Sequence, residues 1–186
     1  MTVVSMLELP IPSRPLTYDD LAAMPDDGRR YELIDGMLLV SPAPSRLHQR
    51  VVRRLLLLLD PLTPVEWEMF TAPFDVVLDE HTSFEPDLVL ARMADLTPHN
   101  LPAPPVLAIE VLSPSTRTID LTTKHARLQD FGCAHYWIVD PDTPSVIAYE
   151  LVDGHYAEVG QAIGEESLTV DRPFRVEVTP QRLIER

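Results

Sequence analysis

Lysine is almost missing from this chain. Of its fifteen basic residues only Lys124 is a lysine, the rest being arginine, and 29 acidic residues outweigh them for a formal net charge of −14. A protein that grips duplex DNA along its length carries a basic face, because neutralising phosphates and releasing their counterions supplies most non-specific affinity. The surface as a whole excludes that mode, leaving a local basic patch or a partner other than DNA. Cysteine is as scarce. Cys133 stands alone, so no internal disulfide can form, and a reducing, cytoplasmic setting is expected. The six glycines build no Walker or dinucleotide phosphate loop, and no cysteine pair offers a zinc site. The longest unbroken apolar run, Leu55 to Leu59, is far short of the ~20 residues that span a membrane. The opening MTVVSMLELPIPSRP has no basic start and no small-residue cleavage site, so no signal peptide is expected.

What is present suits a single α/β domain. With 45% hydrophobic and 24% charged residues over 186 positions, the chain can bury one core. The expected division is an N-terminal extension with a short helix over 1–29, a core over 30–141 and a β-rich tail over 142–186. Nineteen prolines punctuate elements rather than define a linker. Thr17 with Asp20 predicts a capped helix to about Met24, and RYELIDGMLLVS a hairpin turning at Asp35-Gly36. From Ser45 to Leu59 the period is helical, with His48 at the centre of an apolar face and Arg46, Arg50, Arg53 and Arg54 on the opposite side. EWEMFTA, FDVVLD, PDLVLA and VLAIEVL read as strands, Ile119 to Phe131 as a second helix closed by Gly132, then HYWIVD and VIAYEL as further strands. The order predicts an α/β sandwich with a mixed sheet flanked by helices.

Two carboxylates interrupt apolar strands. Asp87 opens PDLVLA and Glu110 nearly closes VLAIEVL. If these strands pair as antiparallel neighbours, the start of one lies beside the end of the other and the carboxylates converge. Two such groups in a partly buried site repel, and a hard divalent cation relieves that cost. The plainer alternative is an Asp at a strand start and a Glu paired with an arginine. Lys124 bears on the choice. Counted at the helical angle it falls within the stripe of Leu121, His125, Leu128 and Phe131, where an ammonium costs free energy unless it meets a carboxylate or reaches a cleft. Its alternative is a surface pair with Asp120, four residues earlier, worth only ~0.3–0.5 kcal/mol.

YELIDG, SPAPSRLHQRVVRRL, the PD at Asp87, IEVLSPST, a helix carrying Lys124, Gly132 and YWIVDP together resemble the Uma-two family, assigned to restriction endonucleases of the PD-(D/E)xK nuclease superfamily. The resemblance runs from about Tyr31 to Pro141. It implies a restriction-endonuclease-like fold and metal-dependent hydrolysis of phosphodiester bonds, with Mg²⁺ or Mn²⁺ held by Asp87, Glu110 and the backbone carbonyl of Val111. The superfamily's lysine stands two residues after the glutamate, where this chain has Leu112. In this branch the following helix supplies it, which matches Lys124, with the role of orienting or deprotonating the attacking water. Leu128 and His135 depart from residues frequent in the family, Tyr and Glu, without touching the ligands. The resemblance also points to His48 at the active site, against a satisfied core histidine, and to Glu32 as a third acidic residue, against a place on the hairpin's wet face. Arg46, Arg50, Arg53 and Arg54 are candidate contacts to nucleic acid, DNA foremost, against a plain solvated face. Single-site nucleases need two copies to cut both strands, so a homodimer is expected by analogy. The rival reading is a catalytically weak module that binds a protein or nucleic-acid partner.

Overall fold

A computed structural model describes residues 13–25 and 27–185; the reading of the opening residues as free of a signal peptide lies largely outside them. Helix α1 (Tyr18–Ala22) begins with the expected capping box, Thr17 and Asp20 each bonding the other's backbone N–H. Strands β1 (Arg30–Ile34) and β2 (Met37–Ser41) form the expected hairpin. Its turn places both Asp35 and Gly36 at positive φ, 50° and 78°, the geometry that an Asp-Gly turn supplies at least cost. Helix α2 (Arg46–Leu59) starts at Ser45, whose hydroxyl accepts the His48 N–H.

Next come β3 (Trp67–Thr71), β4 (Asp75–Asp79), β5 (Thr82–Phe84), β6 (Leu88–Arg92), the two-residue β7 (Asn100–Leu101) and β8 (Leu107–Val111). The second long helix has three parts: α3 (Arg117–Ile119), a π-helical turn over Asp120–Lys124, and α4 (His125–Phe131), which ends at left-handed Gly132. Strands β9 (His135–Asp140), β10 (Ser145–Val152), β11 (His155–Ile163), β12 (Leu168–Val170) and β13 (Val176–Val178) precede helix α5 (Pro180–Ile184).

The strands build two larger sheets, both mixed, as expected. One has the order β11-β10-β9-β8-β6-β3 and is antiparallel except for β8 with β9; the other has the order β2-β1-β5-β4-β7 and is antiparallel except for β4 with β7. A third, two-stranded sheet is β12-β13. Helix α2 lays Val51, Val52, Leu55 and Leu59 against Leu88, Leu90, Leu107, Ile109, Val111 and Trp137 on one face of the six-stranded sheet. On the opposite face Ala108, Leu112, Tyr136 and Ile138 pack with Ile34, Phe84 and Leu128. Among the described residues no helix is long and apolar enough to cross a membrane.

One helical prediction needs correction. Leu121 does not join the buried stripe; it is 38% exposed, whereas Lys124 and Leu128 are 0% exposed and Asp120 is 1% exposed. A π turn takes up one extra residue. The phase therefore slips by about one position, roughly 100°, and Asp120 faces inward where the regular count puts Leu121.

Candidate active site

Strands β6 and β8 pair antiparallel with Leu88 opposite Ile109. Carrying that register one residue outward brings Asp87 beside Glu110. The Asp87 carboxylate is almost fully buried and all its hydrogen bonds come from other elements. Its Oδ2 accepts the Val111 N–H at 2.8 Å and lies 3.1 Å from His48 Nε2, while Oδ1 accepts from Arg30 at 3.2 Å. Burial alone would push this acid up. The His48 hydrogen bond, the Arg30 charge and the Val111 N–H overturn that and hold it below its ordinary value.

Lys124 is wholly enclosed. Its Nζ is 2.7 Å from Glu32 Oε1, 2.9 Å from Glu110 Oε1 and 3.4 Å from Asp120 Oδ1. Burial would depress an ammonium, but these three carboxylates outweigh it and raise the Lys124 pKa above the ordinary lysine value. Lys124 thus points inward and reaches Glu110; its contact with Asp120 is buried too, which overturns the alternative of a surface pair. Glu32 is 0% exposed and not on a wet face. Strand β1 lies between β2 and β5, with Leu33 packed among Leu16 and Leu21 on one side and Ile34 in the core under β8 on the other. Glu32 also accepts the Glu85 N–H at 3.0 Å and lies 3.4 Å from Arg30. Lys124 and Arg30 keep it ionised against the cost of burial.

Three members of this cluster escaped the sequence reading. Arg30 bridges Asp87 and Glu32, Glu85 stands two residues before Asp87, and Asp120 was read only as a surface partner. No periodic signal singles them out. The nearest hints are the clustering of Glu85 with the PD and of Arg30 with YELIDG.

Carboxylates outnumber cations here. Glu32, Glu85, Asp87, Glu110 and Asp120 face two permanent positive charges, Arg30 and Lys124. Burial lifts Glu85 to about 7, helped by Asp75 and Glu32, and raises Asp120. Glu110 rises well above its ordinary value through burial, against the pull of Lys124. One ammonium is shared by three carboxylates. Glu85 Oε2 and Asp120 Oδ1 are buried without hydrogen bonds. An all-oxygen, cation-poor donor set of this kind fits a hard divalent ion. Among the described residues no three His, Cys, Asp or Glu side chains are already disposed to hold a metal.

Two clefts open onto Asp87. One, of about 460 Å³, runs past Ser41, Ser45, Ser113, Ser115 and Thr116; the other, of about 420 Å³, runs past Arg29, Gln49, Arg53 and Thr71. They share Gly28, Arg30, Pro44, His48 and Asp87. Glu32, Glu110 and Lys124 line neither and lie behind Asp87. His48 is thus buried against a site carboxylate through Nε2, while its Nδ1 is buried without a hydrogen-bond partner, so it is not a satisfied core histidine. Of the four helix arginines, Arg50 and Arg54 donate to the carbonyls of Ile184 and Glu185 at the end of α5. Arg46 and Arg53 are exposed, and Arg53 alone of the four reaches a cleft.

Comparison with known proteins adds two findings. The family described as "Uma2: Putative restriction endonuclease" matches residues 18–182. Among solved structures, the chain is similar to one titled as a putative nuclease belonging to DUF820 from Anabaena variabilis ATCC 29413, at 18% identity and a TM-score of 0.71, over 91% of this chain and 98% of that one. At that identity the likeness concerns the fold, which it shares with this nuclease-like structure. A search of curated proteins gave no match.

Proposed function

The chain belongs to the Uma2 restriction-endonuclease family, and we propose that it is a divalent-metal-dependent endonuclease hydrolysing phosphodiester bonds of nucleic acid, DNA foremost. The observation that carries this is the pairing of β6 with β8, which brings Asp87 and Glu110 side by side with Lys124 2.9 Å from Glu110. Asp87 and Glu110 would hold Mg²⁺ or Mn²⁺, joined by the Val111 carbonyl. The ion would supply Lewis acidity to the scissile phosphate and to an attacking water.

The rest of the work falls to the chain's own groups. His48 and the Val111 N–H hold Asp87 in one orientation and keep it ionised. Arg30, at the junction of the clefts, offers a guanidinium to a phosphate that reaches Asp87. The three carboxylate neighbours of Lys124 favour the charged ammonium, which suits orienting the attacking water better than deprotonating it. Lys124 holds Glu110 in place and adds positive charge against the charge that develops on the phosphate. The reading carries with it one domain, a reducing cytoplasmic setting and, by analogy with single-site nucleases, a homodimer.

Enclosure of Glu110 and Lys124 behind Asp87 favours a second reading, a nuclease-fold module that binds a partner without useful turnover. Cleavage of plasmid and of single-stranded DNA with Mn²⁺ at low salt decides between them. Wild type is expected to cut at least one of the two, and Asp87→Ala to lose at least about a hundredfold, the scale of one misplaced electrostatic group. Calorimetry is expected to show Mn²⁺ binding in wild type and none in the Asp87→Ala/Glu110→Ala double variant. Absence of wild-type cleavage, with Mn²⁺ binding unchanged in the double variant, leaves the module reading.

A further inference from the structure

We infer that the cleft between Arg29 and Arg53 is a nucleotide subsite that takes an unpaired single strand, rather than a duplex, across Asp87. The inference deepens the nuclease reading and rests on it for the role of Asp87. It begins from a contrast of charge. The chain carries −14 overall, yet Arg29, Arg30 and Arg53 line this cleft, and among the described residues Asp87 is the only carboxylate that does so. Arg53 is exposed on α2, and Arg29 is 52% exposed in its side chain, 3.4 Å from Asp27. Both can meet a phosphate.

Apolar residues share the lining with these arginines, Val52 and Leu56 from α2 and Ala72 and Pro73 from the segment after β3, beside the polar Gln49 and Thr71. Guanidinium groups beside aliphatic surface fit a nucleotide, whose phosphate is anionic and whose base has two apolar faces. In a duplex the base faces are buried in the stack and cannot reach such a surface. The size agrees. About 420 Å³ lies low in the roughly 300–1,000 Å³ range that holds one small molecule, room for one nucleotide. Charge also points away from a duplex. A duplex brings one phosphate per ~1.7 Å of axis against a surface that repels it, and two exposed arginines can answer only a couple of them.

The second cleft supplies the way onward. It meets the first at Asp87, and hydroxyls of Ser41, Ser45, Ser113, Ser115 and Thr116 line it, groups that hydrogen-bond phosphate or sugar oxygens without adding charge. The strand runs from the arginine cleft over Asp87 into the hydroxyl cleft.

The test is fluorescence anisotropy at low salt in EDTA with labelled oligothymidylate, oligouridylate and a duplex of the same length. The variants are Arg29→Ala, Arg53→Ala and Arg46→Ala, the last removing an exposed arginine of the same helix that lines neither cleft. Single strands should bind more tightly than the duplex, with a log–log salt slope of about −1.4, for two phosphates at ~−0.7 each. Arg29→Ala and Arg53→Ala should each weaken binding about tenfold, as for a lost charged hydrogen bond, with Arg46→Ala unchanged. Binding of either homopolymer supports the inference, and their ratio assigns the sugar. Duplex binding as tight as single-strand binding, no single-strand binding, or equal losses at Arg46 and Arg53 would overturn it. Because the assay needs no turnover, the two readings fail separately. Arg53-dependent strand binding by a protein that never cleaves removes only the nuclease reading, and cleavage indifferent to Arg29 and Arg53 removes only the subsite.

Discussion

Strand β8 divides two interiors that are equally buried and chemically opposite. Leu107, Ile109 and Val111 point into hydrocarbon under α2, while on the other face Ala108 packs in a smaller apolar cluster beside Glu110, which points into a space where Lys124, Glu32 and Asp120 meet; each of the five β8 residues is at most 1% exposed. The first interior needs only apolar area of about the right volume, at roughly 25 cal/mol per Å² buried. The second is costly by construction. Every charge there has left water, and what each costs depends on partners from other elements. The contrast separates the face that stabilises the domain from the face that the domain must support.

Removing the lysine should have the largest effect. Lys124→Met leaves three carboxylates around an apolar side chain, the situation that costs about 3–5 kcal/mol when one partner of a buried ionic group is deleted. Denaturant unfolding in EDTA should show that loss near neutral pH and a clearly smaller one at about pH 5, where the orphaned acids take up protons. An equal loss at both pH values would mean that the ammonium matters for packing alone. Turnover should vanish in Lys124→Met and fall steeply in Lys124→Arg, since a forked guanidinium does not fit an enclosed ammonium site.

Leu55→Ala probes the other face. Leu55 is fully buried among Leu59, Leu107 and their neighbours, and its truncation should cost about 2–5 kcal/mol. The loss should be the same at both pH values, because nothing titratable is touched. Strong pH dependence in this variant would break the comparison.

The smallest effect is expected at Glu85, whose folded-state value is pushed to about 7 from an ordinary 4.5. Between those values the folded chain holds more protons than the unfolded one, so wild-type stability falls as pH rises through that window. Glu85→Gln removes the titration. It should match wild type at about pH 4 and exceed it by on the order of 1–2 kcal/mol at about pH 8, after allowance for partial solvent screening. Identical stabilities at both ends would show that water already reaches this carboxylate.

Much of the architecture was legible because it depends on short-range pattern. The hairpin follows from Asp35-Gly36, α2 from Ser45 and its apolar period, the end of the second helix from Gly132, and the β6–β8 strands from two apolar runs each marked by one carboxylate. Strand β5 went unread because three residues, Thr82–Phe84, are too few to show a period. The face of the second helix was misread at Leu121 because angular counting assumes a regular helix, and the π turn breaks it.

The line between the two kinds of knowledge runs through the site itself. Residue order was enough for the mixed α/β class, for Asp87 and Glu110 on adjacent strands, and for the inward aim of Lys124, since a side chain's face within its own element follows from the local period. The partners of those groups followed from nothing local. His48 meets Asp87 across 39 positions and Arg30 meets it across 57, while Glu32 is buried because β1 became an inner strand rather than because of any neighbour in sequence. Which charges share a dry space, and so which of them stay ionised, depends on how separate elements close on one another. Alternation and helical phase report direction within an element and carry no information about what waits at the other side.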